Sequence, residues 1–231
     1  MSNNKHAVVT GTSAGIGRAI AAHLLCRGWR VSGLDVAPPS LAEAGFTPLT
    51  VDLADGEAIA GTASALPPMD ALVHAAGVLR VGRLGELDHA GAALMWRLHV
   101  EAAARLADVM VPAMAARGSG RVVFVGSRVA QGMPGRGQYA ATKAALIAMA
   151  RSWAGEVAAR GVTVNVVSPA ATATGMLQDP SRAASAPRLP PLGRLIEPEE
   201  IATLVAFLLS DAAAAITGQD IAICGGASLP S

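Results

Sequence analysis

The fold is decided by the stretch Ser127-Arg-Val-Ala-Gln-Gly-Met-Pro-Gly-Arg-Gly-Gln-Tyr139-Ala-Ala-Thr-Lys143. It follows an apolar run, Arg121-Val-Val-Phe-Val-Gly126, which is typical of a buried strand. It then passes through a glycine-rich loop and enters an alanine-rich segment with helical spacing. Tyr139 and Lys143 are four residues apart, so they share one face of that helix, and Ser127 leaves the strand end beside them. The pattern therefore predicts three polar side chains at the end of a buried strand.

These three side chains are suited to moving a proton on an oxygen atom. A lysine ammonium favours the phenolate and lets a nearby phenol ionise below its usual pKa of roughly 10. Such a phenol is a general acid/base, and a serine hydroxyl can orient the same substrate oxygen and stabilise its developing charge. The alternative is an ordinary surface pair of Tyr and Lys. The pair does not stand alone, because Tyr139 is the only tyrosine and the N-terminus carries a nucleotide-binding pattern.

That pattern is a glycine-rich turn, Gly11-Thr-Ser-Ala-Gly15-Ile-Gly17, between a predicted strand and a predicted helix. Glycines allow positive φ and a close backbone approach, and the helix N-terminus presents free N–H groups to a pyrophosphate. Asp35 ends the next predicted strand, at the distance along the chain expected of a carboxylate that binds ribose hydroxyls. A plain tight turn and a solvated acid are the alternatives.

Together, Ser127, Tyr-x-x-x-Lys and Thr-Gly-x-x-x-Gly-Ile-Gly resemble the short-chain dehydrogenase/reductase family, from about Lys5 to Gly226. The resemblance implies an oxidoreductase that interconverts a secondary alcohol and a ketone with a nicotinamide cofactor. It implies that Tyr139 exchanges the proton, that Ser127 holds the substrate oxygen, and that Lys143 supports the tyrosine and binds the nicotinamide ribose. An acid at Asp35 implies NAD rather than NADP, because it would repel a 2′-phosphate.

The resemblance also implies the remaining cofactor contacts. They are Gly11, Thr12, Ser13, Gly15, Ile16 and Gly17 in the glycine-rich turn, Asp52 and Leu53 beside the adenine, Ala75, Ala76 and Gly77 after the fourth strand, and Pro169, Ala170, Thr172 and Thr174 around the nicotinamide. Two positions depart from the family pattern here, since His74 replaces an Asn and Ala170 replaces a Gly.

A third departure lies on the long predicted helix, where His99 stands at the position of the family's Asn. In the family that Asn holds a water linking the active-site lysine to solvent. A neutral imidazole can both donate and accept, so His99 is expected to keep this proton relay and to add an ionisation near pH 6.5. A packed histidine with no catalytic role is the alternative.

Strand and helix patterns alternate along the whole chain. Strands are predicted at residues 6–10, 30–35, 47–51, 71–74, 122–126, 162–167 and 220–224, with helices at about 15–27, 57–65, 88–116, 139–160 and 197–209. Strands that are apolar on both faces favour a parallel sheet covered on both sides. We therefore expect an α/β, doubly wound (Rossmann-type) fold with one domain over residues 1–231. An irregular, proline-rich segment at about 175–197 is expected to be a substrate lid.

Composition excludes several other classes. With 231 residues, 52% of them hydrophobic, and a net charge of +1, the chain has neither the basic stripe of a nucleic-acid-binding protein nor a long apolar run for a membrane. The N-terminal residues lack an apolar signal core, so a cytoplasmic setting is expected. Cys26 and Cys224 are expected to be two buried free thiols, and no metal site is expected.

The sequence does not specify the substrate. Residues 161–169 and 195–202 resemble 3-oxoacyl thioester reductases, which is one alternative function, and a dinucleotide-binding regulator without catalysis is another. The substrate is expected to be small, and Arg80 and Arg128 near the expected cleft mouth suggest an anion. A homotetramer is expected, because the family pairs the helix at 88–116 and the helix after Gln138 with their symmetry mates.

Overall fold

A seven-stranded parallel sheet forms the centre of the molecule in the computed structural model, which describes residues 5–178 and 189–229. The strands are β1 (His6–Thr10), β2 (Arg30–Asp35), β3 (Phe46–Thr50), β4 (Ala71–His74), β5 (Gly120–Val125), β6 (Val162–Pro169) and β7 (Asp220–Ile223). Their order is β3-β2-β1-β4-β5-β6-β7. The order reverses between β1 and β4, where the connections diverge and leave a crevice.

Helices cover both faces of the sheet. They are α1 (Gly15–Cys26), α2 (Gly56–Ala65), α3 (His89–Trp96), α4 (Ala102–Ala116), α5 (Gly137–Val157) and α6 (Pro198–Leu208), with 3₁₀ turns at Arg128–Gln131, Ala158–Arg160, Gly175–Gln178 and Asp211–Ala213. The strands lie within about two residues of their predicted bounds and the helices within about three, except that the single helix predicted at 88–116 is interrupted. Asp88 caps α3, because its carboxylate accepts the N–H of Gly91 at 2.8 Å.

Two hydrophobic cores form because successive residues of a strand point to opposite faces. Val8 and Leu72 pack into the core beneath α2, α4 and α5. The next residues, Val9 and Val73, pack into the core beneath α1 and α6. This arrangement confirms the predicted doubly wound α/β fold.

The long helical pattern after Asp88 is interrupted by a π-helical turn, Arg97–Glu101, between α3 and α4. Because a π turn has more residues per turn than an α-helix, each residue advances by a smaller angle, and a straight-helix projection fails through this segment. Leu94 and Leu98 are only half-buried, whereas His99 and Val100 are buried. The interruption places His99 inside the protein.

The cysteines correct a second expectation. Both thiols are free, but Cys26 is exposed at the end of α1 and Cys224 is half-buried after β7. Cys26 is the last residue of α1 and Cys224 follows the last residue of β7, so neighbouring helices and strands cover these positions less completely. The prediction of two buried thiols was therefore wrong about their burial.

The expected lid at 175–197 lies partly outside the described residues. Its last part is held against the body of the protein, since Ile196 is buried and its N–H donates to the carbonyl of Ala171 at 3.0 Å. The N–H of Leu192 likewise donates to the carbonyl of Gly225. These bonds fix residues 192–196 beside the carboxyl ends of β6 and β7.

Candidate active site

A cleft of about 930 Å³ opens at the carboxyl ends of the strands. Its walls come from the segments that follow β1, β2, β3, β4, β5 and β6. The cleft spans the reversal of strand order between β1 and β4, which is where doubly wound sheets bind their ligands.

Most of the predicted site residues line this cleft. They are Gly11, Gly15, Ile16, Gly17, Asp35, Asp52, Leu53, Ala75, Ala76, Gly77, His99, Ser127, Tyr139, Lys143, Pro169, Ala170, Thr172 and Thr174. Thr12 and Ser13 do not line it. Thr12 is buried beneath the glycine-rich turn, and Ser13 faces the segment after β2, so both shape the turn rather than the wall of the cleft.

The glycine-rich turn is built for close approach. Gly11 has a φ of 75°, and a Cβ on Gly17 would lie 2.1 Å from the carbonyl oxygen of Gly11. The first turn of α1 follows at once, and its N-cap, Ala14, provides no side-chain hydrogen bond. The backbone N–H groups at this helix end therefore remain available for an anion, which fits the pyrophosphate of a dinucleotide.

Asp35 connects the glycine-rich turn to the end of β2. Its half-buried carboxylate accepts the N–H of Ser13 at 2.9 Å and the N–H of Ala37 at 3.0 Å. The neighbouring cleft residues Ala14 and Val36 carry no charge. At this end of the cleft Asp35 therefore presents a carboxylate, and neither Ala14 nor Val36 places a positive charge next to it.

Ser127, Tyr139 and Lys143 meet at the opposite end of the cleft. All three side chains are buried, and the Ser127 hydroxyl accepts the N–H of Val129 at 3.2 Å. The Lys143 ammonium donates to the carbonyl of Val125 at 2.9 Å and lies 5.7 Å from the centre of the Tyr139 ring. Burial lowers the pKa of Lys143 to about 8, so this lysine is still charged at neutral pH.

Arginines border the same end of the cleft. Arg128 and Arg136 line its wall. Arg80, expected beside Arg128, is not among the lining residues. Its guanidinium donates to the carbonyl of Leu79, and its aliphatic part lies next to Gly91 at the start of α3.

Comparisons with known proteins agree with this geometry. Residues 11–228 match the family model described as enoyl-(acyl carrier protein) reductase. The chain is 36% identical to a 3-oxoacyl-(acyl-carrier-protein) reductase of Vibrio cholerae over 96% of both chains, and 34% identical to an acetoacetyl-CoA reductase of Shinella zoogloeoides over 95% of this chain and 97% of the relative. A solved structure titled as a short chain dehydrogenase/reductase family protein superimposes with a TM-score of 0.87, at 33% identity, over 98% of both chains.

The chain belongs to the short-chain dehydrogenase/reductase family. It is therefore an oxidoreductase acting on CH–OH groups, and it belongs to a family that binds a nicotinamide dinucleotide. Among residues 5–178 and 189–229, no helix is long and apolar enough to cross a membrane. The same residues contain no group of three or more His, Cys, Asp or Glu side chains arranged to hold a metal ion.

His99 lines the cleft, where both of its ring nitrogens make hydrogen bonds to protein groups. Its part in a water relay to Lys143 stays a prediction. Its Nε2 accepts the N–H of Val78 at 3.1 Å, and its Nδ1 pairs with the hydroxyl of Thr142 at 2.8 Å. Burial, followed by the charge of Lys143, holds the pKa of His99 well below its usual range. Both ring nitrogens are thus engaged, and an ionisation near pH 6.5 is not expected from this imidazole.

His74, another departure from the family pattern, is buried at the end of β4. It pairs with the Thr10 hydroxyl through Nδ1 and with the Leu98 carbonyl through Nε2, each at 3.0 Å. Burial lowers its pKa to about 3, and the charge of Lys143 acts in the same direction. His74 therefore connects β1 and β4 to the π-helical turn.

The sequence motifs did not predict the apolar wall of the cleft. It is formed by Val78, Leu79, Leu98, Val129, Met133, Pro134, Met176 and Leu177. The motifs cover the cofactor-binding turns and the Ser–Tyr–Lys set, whereas these residues lie in segments that match no motif. The one available signal was Met133-Pro134, an apolar pair inside the glycine-rich loop before Tyr139.

Proposed function

We propose that this protein is an NAD(H)-dependent oxidoreductase that interconverts a secondary alcohol and a ketone on a small substrate. The observation that carries the proposal is one continuous cleft with Ser127, Tyr139 and Lys143 at one end and the glycine-rich turn with Asp35 at the other. One end is suited to proton transfer and the other to a dinucleotide, so a substrate and a cofactor can meet between them.

In this proposal Tyr139 is the proton-transfer residue. During oxidation its phenolate takes the hydroxyl proton of the substrate, and during reduction its hydroxyl gives that proton to the carbonyl oxygen. Ser127 donates a hydrogen bond to the same oxygen and stabilises its partial charge. Lys143, held by the carbonyl of Val125, places a positive charge beside the phenol and favours the phenolate. The nicotinamide cofactor supplies or accepts the hydride.

Residues of this chain can hold each part of the dinucleotide. The N-terminus of α1 with Gly11, Gly15 and Gly17 fits the pyrophosphate, since any side chain on these glycines would fill or distort the turn. The other positions, assigned from the family pattern, are Asp52 and Leu53 for the adenine, Ala75, Ala76 and Gly77 along the cofactor, and Pro169, Ala170, Thr172 and Thr174 for the nicotinamide.

NAD is the cofactor favoured by Asp35. Its carboxylate stands at the end of β2, where it can accept hydrogen bonds from the adenosine ribose and would repel a 2′-phosphate. The neighbouring Ala14 and Val36 offer no compensating positive charge. The names of the relatives specify no cofactor, so this preference rests on the geometry of Asp35 alone.

A 3-oxoacyl thioester is the second candidate for the substrate. The relatives named above are reductases of 3-oxoacyl carrier proteins and of acetoacetyl-CoA, and the apolar wall of the cleft, with Val129 and Met133, suits a short acyl chain. A regulator without catalysis is less favoured, because Ser127, Tyr139 and Lys143 are all present and share the cleft.

The charges of the cleft favour an anionic group on the substrate. Asp35 and Asp52 lie at the adenosine end, whereas Arg128 and Arg136 lie at the reaction end. A carboxylate on a small hydroxy acid, or a phosphate on a thioester carrier, would meet positive charge there.

A homotetramer is part of the proposal. Apolar side chains are exposed on the long helix at Trp96 and Val109, and α5 exposes Ala141, Ala144 and Ala148. Burying these two helices against their symmetry mates would remove that surface from water. Light scattering at micromolar concentration should give four times the chain mass, and a monomeric mass would contradict the assembly.

The function is tested by following NADH formation and consumption across a panel of hydroxy acids, polyols, cyclic alcohols and 3-hydroxyacyl or 3-oxoacyl thioesters, with the Tyr139→Phe variant as the matched blank. Turnover that disappears in the variant supports the proposal. If only the thioesters react, the second candidate is the substrate. If wild-type protein binds NADH but turns over no member of the panel, the regulator is favoured instead.

A further inference from the structure

Two buried histidines hold the π-helical turn Arg97–Glu101, and the proposed reaction gives neither of them a proton to transfer. His74 comes from the end of β4, and His99 lies within the turn itself. Two adjacent residues of the turn are bound to different parts of the protein. The carbonyl of Leu98 is hydrogen-bonded to His74 in the sheet, and the ring of His99 is hydrogen-bonded to Thr142 in α5.

The hydrogen bonds of Thr10 determine which nitrogen of His74 carries the proton. The Thr10 hydroxyl oxygen accepts the N–H groups of Ala75 and Ala76, each at 3.0 Å, which fills both of its lone pairs. Its own proton must then go to Nδ1 of His74. His74 is consequently protonated on Nε2, which donates to the carbonyl of Leu98.

The backbone determines the opposite state for His99. The N–H of Val78 can only donate, so Nε2 of His99 is the unprotonated nitrogen. The proton is on Nδ1 and is donated to the hydroxyl of Thr142, which in turn donates to the carbonyl of Tyr139 at 2.8 Å. The ring of His99 also packs edge-to-face on the Tyr139 ring, with the ring centres 5.6 Å apart.

We infer that His74 and His99 act as a pair of positioning residues. Together they hold the π-helical turn between the Ala75–Gly77 segment and the turn of α5 that carries Tyr139. Both rings are neutral, and they have opposite tautomers. The inference rests on the proposed function for its catalytic consequence. Every hydrogen bond in the pair has a defined direction, so neither ring can flip or exchange its proton without leaving a buried group unpaired.

Gly77 shows how closely the pair approaches the reaction end. A Cβ at this position would lie 2.8 Å from Nε2 of His99 and 3.7 Å from the ammonium of Lys143. Among the described residues, three kinds of titratable or charged group face the two rings: Lys143 and Tyr139 from α5, and, for each ring, the other histidine of the pair. Neutral rings beside Lys143 avoid repelling its ammonium, which leaves that charge to act on Tyr139.

The first test needs no substrate. Two-bond ¹H–¹⁵N correlation spectra of the wild-type protein, assigned with single-histidine substitutions, report which ring nitrogen is protonated. We expect protonated Nε2 in His74 and protonated Nδ1 in His99, both unchanged from pH 8 to pH 6. The same tautomer in both rings, or an imidazolium in either of them in that range, would overturn the inference.

The second test uses half-replacements of His99. Asparagine places its amide near the position of Nδ1 and can keep the donor to Thr142, whereas glutamine reaches the position of Nε2 and can keep only the acceptor for Val78. His99 acts on the Tyr139 turn through the hydrogen bonds of Thr142, and only the asparagine variant keeps the bond to Thr142. His99→Gln should therefore lower kcat by about two- to tenfold more than His99→Asn. The NADH dissociation constant should stay within about twofold of wild type in both variants.

A purely structural histidine gives a different result. Both half-replacements would then lower the melting temperature and leave kcat per folded molecule equal, and this outcome would refute the positioning role. If no substrate of the panel turns over, the proposed function fails, but the ring tautomers still decide whether the pair exists as described.

Discussion

The two ends of the cleft are built by different means. The adenosine end consists of backbone amides, glycines and the carboxylates of Asp35 and Asp52, all from the segments that follow the first three strands of the chain. The reaction end consists of buried side chains from β4, β5, the π-helical turn and α5, and its ionisation states are set by burial. Recognition of the cofactor thus depends on local backbone shape, whereas the reaction chemistry depends on contacts between distant parts of the chain.

The largest effect is expected from removing the proton-transfer group at the reaction end. Tyr139→Phe should lower kcat by about two to four orders of magnitude, because a lost general acid/base usually costs that much. The NADH dissociation constant should be nearly unchanged, since the hydroxyl acts on the substrate oxygen, and fluorescence titration can measure it. A variant that kept more than about a tenth of wild-type kcat would show that Tyr139 is not the acid/base.

The adenosine end is tested through cofactor choice. Wild-type protein should prefer NAD⁺ over NADP⁺ by about tenfold to a hundredfold in kcat/KM, because a carboxylate close to a phosphate dianion is repulsive. Asp35→Ala should narrow that ratio, as measured by initial rates with both cofactors. Equal efficiency in the wild-type protein would defeat the prediction.

Asp35→Asn is the matched control for that substitution. The amide oxygen can still accept the N–H of Ser13, but the charge is gone. If charge sets the preference, the Asn variant should narrow the ratio as the Ala variant does. A change confined to the Ala variant would instead point to loosening of the glycine-rich turn.

The histidines of the reaction end should make stability depend on pH. In the native protein the pKa of His74 is lowered to about 3 and that of His99 lies well below its usual value, whereas the unfolded chain binds protons near pH 6.5. Lowering the pH below about 6.5 therefore favours the unfolded state, by about 1.4 kcal/mol per pH unit for each histidine.

Urea unfolding at pH 7.5, 6.5 and 5.5 measures this effect. His74→Asn and His99→Asn should each flatten the pH dependence of the free energy of unfolding, while the lowered pKa values of His6 and His23 leave a residual slope in every protein. His89→Asn, at an exposed position, serves as the control. Parallel slopes for wild type and both buried-histidine variants would contradict the prediction.

The smallest effect is expected at the rim of the reaction end. Arg128→Glu should raise KM for an anionic substrate by about tenfold, because charge reversal replaces attraction with repulsion in a partly solvated site. Arg83→Glu makes the same change of net charge at an exposed position outside the cleft lining. An unchanged KM in Arg128→Glu, or an equal rise in the control, would remove the case for an anion.

Sequence reasoning succeeded wherever local patterns carry the information. Periodicity predicted the strands and helices, and the spacing of Tyr139, Lys143 and the glycines predicted which residues line the cleft. It was wrong where a property depends on neighbours that are remote in the chain. Arg80 was expected at the cleft, and Cys26 was expected to be buried. Neither expectation could be checked without knowing what packs against α1 and α3.

The doubly wound fold, the glycine-rich turn, the acid at the end of β2 and the Ser–Tyr–Lys set could be predicted from the sequence alone, because each follows from propensity or spacing over a few residues. The π-helical turn, the inferred tautomers of His74 and His99 and the lowered pKa of Lys143 became visible only in the folded structure. These depend on burial and on hydrogen bonds between residues such as Thr10 and His74, which lie far apart in the chain and meet only when β1 pairs with β4.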